Sequence, residues 1–333
     1  MQNLLDPAIL FFVFGVAAGA LRSNLEVPQQ IAKFLSLYLL MALGLKGGFA
    51  LAKSGFGAEV IVSLSAAVVM AFVVPLIGYI FLRNRIPKFD AAAIAAAYGS
   101  VSAVTFVTAM QFLESSGLTF GGHMAVAMVL MESPAIIMAV LLANTLRHGA
   151  ATNIVASGAA SIDSTRTSGN LSIRKILHES FTDGAHLLLL GSMAVGFISG
   201  EAGKAVMQPF SGDLFKGMLA FFLLDMGLMV ARNFSEARRA SPVLLAYAIL
   251  APLVHATIAL GFASIFGMSV ADTALLMVLS ASASYIVVPA VLRYAIPEAN
   301  PALYFGLSLG ITFPMNILIG IPLYTTVAQH FLG

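Results

Sequence analysis

Gly99-Ser100-Val101-Ser102-Ala103-Val104-Thr105 and Ser280-Ala281-Ser282-Ala283-Ser284-Tyr285 carry one unusual pattern inside otherwise apolar sequence. Ser100 pairs with Ser280, Ser102 with Ser282 and, further on, Pro134 with Pro314, all at an offset of 180 positions. Small hydroxyl residues and helix-breaking prolines repeated in two halves of an apolar chain point to discontinuous helices around a midplane binding site. The pattern predicts a secondary transporter.

Composition places the chain in a membrane. Hydrophobic residues make up 59% and charged residues 10%, with a mean hydropathy of +0.96; soluble domains carry about 25% charged residues. The 29 glycines suit close helix contacts in lipid. A net charge of +2 does not point to nucleic acid. The chain has no Cys, which removes disulfides, metal–thiolate sites and thiol nucleophiles. Met1–Pro7 lacks a basic stretch, so the first apolar segment is expected to be retained rather than cleaved as a signal peptide.

A spanning helix needs about 20 mostly apolar residues. Ten segments approach this, near 7–21, 28–52, 58–83, 90–113, 122–146, 178–199, 211–231, 241–267, 271–294 and 302–331. Breaks are expected in the fourth, fifth, ninth and tenth. Basic residues check the count independently. With ten spans, one side holds Arg22, Arg83, Arg85, Lys88, Arg147, Arg166, Arg174, Lys175, Arg232, Arg238, Arg239 and Arg293, which is 12 of the 17 Lys and Arg. The other side holds only Lys53 and Lys204. By the positive-inside rule the first side is cytoplasmic and both termini of this multi-pass chain face outward.

The polar stretch around His148–Lys175 divides the chain into halves. The expected organisation is therefore a first five-helix repeat over 1–147, a flexible cytoplasmic linker over 148–177 and a second repeat over 178–333. A short amphipathic helix is expected at the linker's end. Five spans per half force the second copy to enter from the opposite side, so the repeats are inverted. Pro75 parallels Pro252 and Gly44 parallels Gly227 at nearly the same offset. The fold class is all-α.

Breaking a helix in hydrocarbon frees amides at one new end and carbonyls at the other. The amide end attracts an anion, and the carbonyl end can hold Na+. Ser100, Ser102, Thr105, Ser282 and Ser284 add neutral hydroxyls, and neither segment carries a formal charge that would repel an anion. Such hydroxyls also serve simply to back-bond a helix or let helices pack closely.

Ionisable residues within spans are functional candidates by default. Glu132, beside Pro134, is read as a cation ligand, a proton carrier or the cap of a half-helix. Thr312 and Asn316, around Pro314, supply neutral oxygens in the matching place of the second half. With Ser100 and Ser280 these residues form the expected Na+-binding set. Lys46 and Asp225 are expected to pair, and His255 to hydrogen-bond across a helix interface. Lys216 and Glu114 lie near span ends. No phosphate-cradling loop or zinc-protease motif occurs, so the chain reads as neither an ATP-driven pump nor an enzyme.

The stretches GSVSAVTFVTAMQFLESSGL, MESPAIIMAVLLAN, LLAYAILAPLVHATIALGF, SASASYIVVPAVLRYAIPEANP and IPLYTTVAQHFLG resemble the sodium-dependent bicarbonate transporter family of cyanobacteria and other bacteria. The resemblance implies ten spans in two inverted repeats and a core that moves in elevator fashion against a gate domain. It also implies a homotrimer that co-transports Na+ with bicarbonate, and a possible PII-like cytoplasmic regulator. The family's anion site maps onto Gly99, Ser102, Ala103, Val104 and Thr105, with Ser282, Ala283, Ser284 and Tyr285 opposite. Where the family pattern has Ser and Asp, this chain has Val104 and Tyr285. The lost carboxylate leaves two further readings open. One is a proton- or Na+-coupled carrier of another small carboxylate; the other is a membrane sensor that binds an anion without moving it.

Overall fold

Lipid offers the backbone no hydrogen bonds, so an apolar chain must satisfy its amides and carbonyls internally, and helix does this segment by segment. The computed structural model describes residues 6–55, 57–156 and 184–333, and within them the chain is helical without strands. The helices are α1 (Pro7–Ala20), α2 (Gln29–Ser54), α3 (Ala58–Leu82), α4 (Lys88–Gly99), α5 (Ala103–Ser115) and α6 (Met124–Ala156). There follow α7 (Gly184–Met207), α8 (Phe215–Ala237), α9 (Pro242–Phe266), α10 (Val270–Ala281), α11 (Val287–Ala295) and α12 (Pro301–Leu332). Several begin on side chains that accept the first free amides: Asp6 for α1, Ser241 for α9, Ser269 for α10 and Asn300 for α12.

Among the described residues, seven helical runs are long and apolar enough to cross a membrane. They are Gln29–Lys53, Ala58–Leu82, Lys88–Ser115, Met124–Arg147, Gly184–Phe234, Pro242–Phe266 and Pro301–Leu332, with Pro7–Ala20 and Val270–Ala281 as shorter apolar helices. The long run Gly184–Phe234 is interrupted: Gly200 takes a left-handed φ of 55°, and Gln208–Asp213 winds as a wide π turn before α8.

Two of the four expected breaks are real gaps: α4 gives way to α5 at residues 100–102, and α10 to α11 at residues 282–286. The other two differ from expectation. Helix α6 runs unbroken through Pro134. Helix α12 absorbs Pro314 between two wide turns, Ser308–Thr312 and Asn316–Gly320. Such π turns shift the hydrogen-bond ladder by one residue, so a proline that cannot donate is accommodated without a gap. Helix α6 also continues through residues 148–156, where linker was expected; the rest of the linker and its expected amphipathic helix lie outside the described residues.

Two helix pairs pack far more closely than ordinary side chains allow: α1 against α8 and α2 against α7. Glycine makes this possible. A Cβ on Gly227 would lie 2.2 Å from the Phe12 carbonyl, and one on Gly44 would lie 2.4 Å from the Leu189 carbonyl. Gly15 and Gly48 stand in equivalent crowding. In lipid, where no hydrophobic effect pulls helices together, such close approach supplies the dispersion contact that does. The remaining helices form a second group: α3 packs on α4 and α6, α9 packs on α10, and α12 runs along α10.

Charged groups add further ties. Lys46 on α2 binds Glu114 at the end of α5 at 2.9 Å and lies over the Phe215 ring. This corrects the expected Lys46–Asp225 pair. Glu114 takes the ammonium where it is partly wetted, and Asp225 is buried with its Oδ2 unpartnered among the described residues. Arg147 grips Glu298 at 2.8 Å and holds that carboxyl below the usual range. Near the start of α10, Asp272 accepts the Gly121 amide at 2.7 Å beside His123.

Gly48→Ala should lower the melting temperature in detergent, by an overpacking cost of about 1–3 kcal/mol. Gly217→Ala, whose added Cβ meets nothing within 4 Å, should leave it unchanged or raise it. Equal effects from the two variants would remove the tight-crossing account.

Candidate functional site

The alanine-rich helix α4 ends where Gly99 meets the Pro75 ring of α3, and a Cβ there would lie 2.7 Å from three ring carbons. Beyond it the backbone turns extended, with ψ −176° at Ser100 and 110° at Ser102. Ser102 then starts α5 as its cap. Its Oγ accepts the Thr105 amide at 3.2 Å and the Thr105 hydroxyl at 2.9 Å. The second gap is built alike. Helix α10 ends at Ala281, Ser282 is extended, and Ser284 Oγ accepts the Val288 amide at the start of α11.

The gaps are joined to each other. The Ser102 amide donates to Ser282 Oγ at 3.0 Å, and the Ser284 amide donates to the Ala97 carbonyl at 2.8 Å. Each break thus supplies partners for backbone that the other has freed, deep inside the protein. Tyr285 closes one side. Its hydroxyl accepts from Ser102 Oγ at 3.5 Å and lies 3.8 Å from Met226 Sδ of α8, and its ring stands on the Phe313 edge.

Helix α12 braces both gaps. Thr312 donates to the Ala248 carbonyl at 2.8 Å, so its hydroxyl receives Tyr98, the residue before Gly99, at 2.6 Å. One turn later Asn316 donates to the Ala281 carbonyl, at the buried C-terminal end of α10, and accepts from Tyr324. These are the two residues around Pro314, and the wide turns of α12 set them facing inward.

The sequence-predicted residues therefore fall into four places. Gly99, Ser102, Val104, Thr105, Ser282, Ala283, Ser284 and Tyr285 are buried around the joined gaps, with Ala103 half-buried beside them. Ser100 and Ser280 flank them with buried hydroxyls that lack partners among the described residues. Thr312 and Asn316 act on the gaps as braces. Glu132 stands apart, hydrogen-bonded to His186 of α7, so it is joined to the other bundle rather than to the serines. His255 does bond across a helix interface, to the Ser280 backbone.

Three participants escaped the sequence reading. His186 is an ionisable residue within an expected span, and the rule that selected Glu132 also selects it. Tyr98 adjoins the first motif. Tyr324 lies in the IPLYTTVAQHFLG stretch that carries the resemblance, but nothing in it pointed to Asn316 as a partner.

Chemically, the joined gaps present two helix N-termini, α5 and α11, with hydroxyls and no formal charge. The first amides of a helix lack intrahelical partners and carry its positive dipole end. Such a place takes a small anion with hydrogen-bonding oxygens. A model of the Na+-dependent bicarbonate transporter superfamily matches residues 7–329. The chain belongs to that superfamily. A comparison with curated proteins found no match. As a member of the Na+-dependent bicarbonate transporter superfamily it is a multi-pass membrane transporter and not an enzyme, with Na+ and bicarbonate as the family's cargo.

Asn316→Leu leaves the Ala281 carbonyl without its donor, a loss of about 1–3 kcal/mol for a buried group. It should lower the melting temperature and weaken bicarbonate-induced stabilisation. Thr325→Val removes only a hydroxyl that back-bonds within α12 and should do neither. An Asn316→Leu variant that binds bicarbonate normally would show that α12 does not shape the gaps.

Proposed function

We propose that the protein takes up bicarbonate with Na+ across a bacterial inner membrane by alternating access. The observation that carries this reading is the mutual bonding of the two helix gaps, Ser102 amide to Ser282 and Ser284 amide to Ala97. The bonds fix the N-termini of α5 and α11 beside one another, in a chain of a bicarbonate-transporter family. Bicarbonate binds between these ends. Its charge is met by the free amides and dipoles of α5 and α11, around Ala103, Val104 and Ala283, while Ser102, Thr105 and Ser284 orient its oxygens. The Tyr285 hydroxyl, which accepts from Ser102 and donates to Met226 Sδ, closes the same place without adding charge. Na+ is held by oxygens of the carbonyl-bearing ends of α4 and α10, where Ser100 and Ser280 contribute hydroxyls that have no partner among the described residues.

In this reading α1, α2, α7 and α8 form a scaffold, and the gap-bearing helices form a core that slides against it like an elevator. The glycine crossings support the division. The first span of each half packs on the second span of the other, α1 on α8 and α2 on α7, as an inverted duplication of 1–147 and 178–333 requires. Ten spans with both termini outside complete the arrangement. Lys46–Glu114 and Glu132–His186 then bridge scaffold and core in this state, and both must open when the core moves. The homotrimer and the PII-like regulator draw on the family resemblance alone.

Purified full-length protein in proteoliposomes should accumulate labelled bicarbonate under an inward Na+ gradient. Ser102→Ala, which removes one hydrogen bond to a charged group, and Ser282→Ala, which leaves the buried Ser102 amide without its acceptor, should each reduce uptake by about tenfold. Undiminished uptake in both would remove this site. A signal independent of Na+ but abolished by Glu132→Gln would favour proton coupling. Saturable binding without flux would favour a sensor.

A further inference from the structure

Helices α1 and α8 run in parallel, and their glycine crossings advance in step, Gly15 against Leu224 and Gly19 against Ala231. Helix α1 then stops at Ala20, whereas α8 continues to Ala237, about 9 Å beyond Ala231. Beside this overhang a hollow of about 490 Å³ opens, lined by Ala20, Ala231, Phe234, Arg238 and Arg239. The two arginines are the only polar side chains in the lining, and no acidic residue joins them. Both are exposed in the turn that leads to α9. Neither guanidinium has a hydrogen bond or ion pair among the described residues. Arg232, one and a half turns earlier, is different: its guanidinium donates to the Leu25 carbonyl at 3.1 Å.

Two guanidiniums without counter-charge, set beside an apolar wall, decide the ligand's chemistry. A guanidinium offers a planar fork of N–H donors that matches the oxygens of a phosphate, and its charge repels a cation. The wall is apolar. Phe234 leaves 48% of its surface exposed, and Ala20 and Ala231 are too small to cover it. A ligand that fills the whole hollow therefore joins an anionic head to an apolar body. Size agrees. The volume lies within the range of small-molecule sites, about 300–1,000 Å³, and leaves room beside a phosphate for the carbons it is attached to. Position agrees as well. The hollow lies where an apolar helix pair ends, and the topology proposed above puts that end at the cytoplasmic leaflet, whose anionic lipids attract basic side chains.

We propose that this hollow binds the headgroup of an anionic phospholipid, with the phosphate on Arg238 and Arg239 and the first apolar carbons on Phe234. The inference takes from the reading above the orientation of the chain and its division into scaffold and core; it does not depend on the cargo or the coupling ion. It has a mechanical consequence. Ala237, the residue before the arginine pair, is where α8 meets α12: Cβ atoms on Gly306 and Gly310 would lie 3.3 Å and 2.8 Å from it. A lipid held at Arg238 and Arg239 fixes the scaffold's side of this contact in the leaflet, so the core slides against an anchored partner.

The test is the melting temperature of the purified full-length protein in detergent, without Na+ or bicarbonate, against added phosphatidylglycerol, phosphatidylcholine or inorganic phosphate. Phosphatidylglycerol should stabilise wild type in a saturable manner, and the other two should not. Arg238→Gln and Arg239→Gln should each shift the midpoint to at least about tenfold more phosphatidylglycerol, the loss of one hydrogen bond to a charged group. Arg83→Gln removes the same charge from an exposed residue outside the hollow and should leave the midpoint unchanged. Without lipid all three variants should melt as wild type does, because these guanidiniums have no partner among the described residues to lose. Equal stabilisation by phosphatidylglycerol and phosphatidylcholine would overturn the site, as would a midpoint unchanged in both hollow variants or shifted equally in Arg83→Gln. Stabilisation by inorganic phosphate that Arg238→Gln abolishes would overturn the lipid and assign the hollow to a free phosphate. Each of these results leaves bicarbonate uptake and its Na+ dependence standing.

Discussion

The structure depends on one constraint: a backbone opened inside hydrocarbon must find new partners at once. Interrupting α4–α5 and α10–α11 frees amides and carbonyls where water does not reach. The chain answers by placing the two interruptions against each other. Ser282 receives the Ser102 amide and Ala97 receives the Ser284 amide. Neither gap is self-sufficient, which explains why the motifs occur as a pair. The duplicated serines are first of all mutual caps, and only after that ligands.

The rest of the bundle supports this junction. Gly99 lets α4 end against the Pro75 ring. Thr312 and Asn316 reach both gaps from one helix, because the wide turns around Pro314 change which residues face inward. Tyr285 reaches across to Met226 and brings the junction into contact with α8. The same small set of bonds thus joins the two gaps and sets them against α8.

Much of this was legible in the sequence, because the deciding signals were local. The gaps at residues 100–102 and 282–286 follow from runs of small hydroxyl residues, and the close crossings at Gly44 and Gly227 from small residues in apolar spans. What could not be read was pairing over distance. Lys46 chose Glu114 rather than Asp225, and Glu132 chose His186 rather than the serines. Both depend on helix rotation, which apolar periodicity does not fix when a helix is hydrophobic all round. Proline also misled. Pro134 is tolerated inside an unbroken α6, and Pro314 between wide turns, since neighbouring helices and local rewinding supply what a proline withholds. The candidate anion site was therefore readable as a motif, whereas of the five expected cation ligands two are hydroxyls without a partner among the described residues, two are braces and one is a carboxylate bonded to His186.

The most direct measurement is a structure determined in lipid with Na+ and bicarbonate present. The account predicts a small planar anion between the N-termini of α5 and α11, within hydrogen-bonding distance of Ser102 and Ser284, with both helices still interrupted. Continuous helices at either gap, or an anion seated away from both ends, would contradict it.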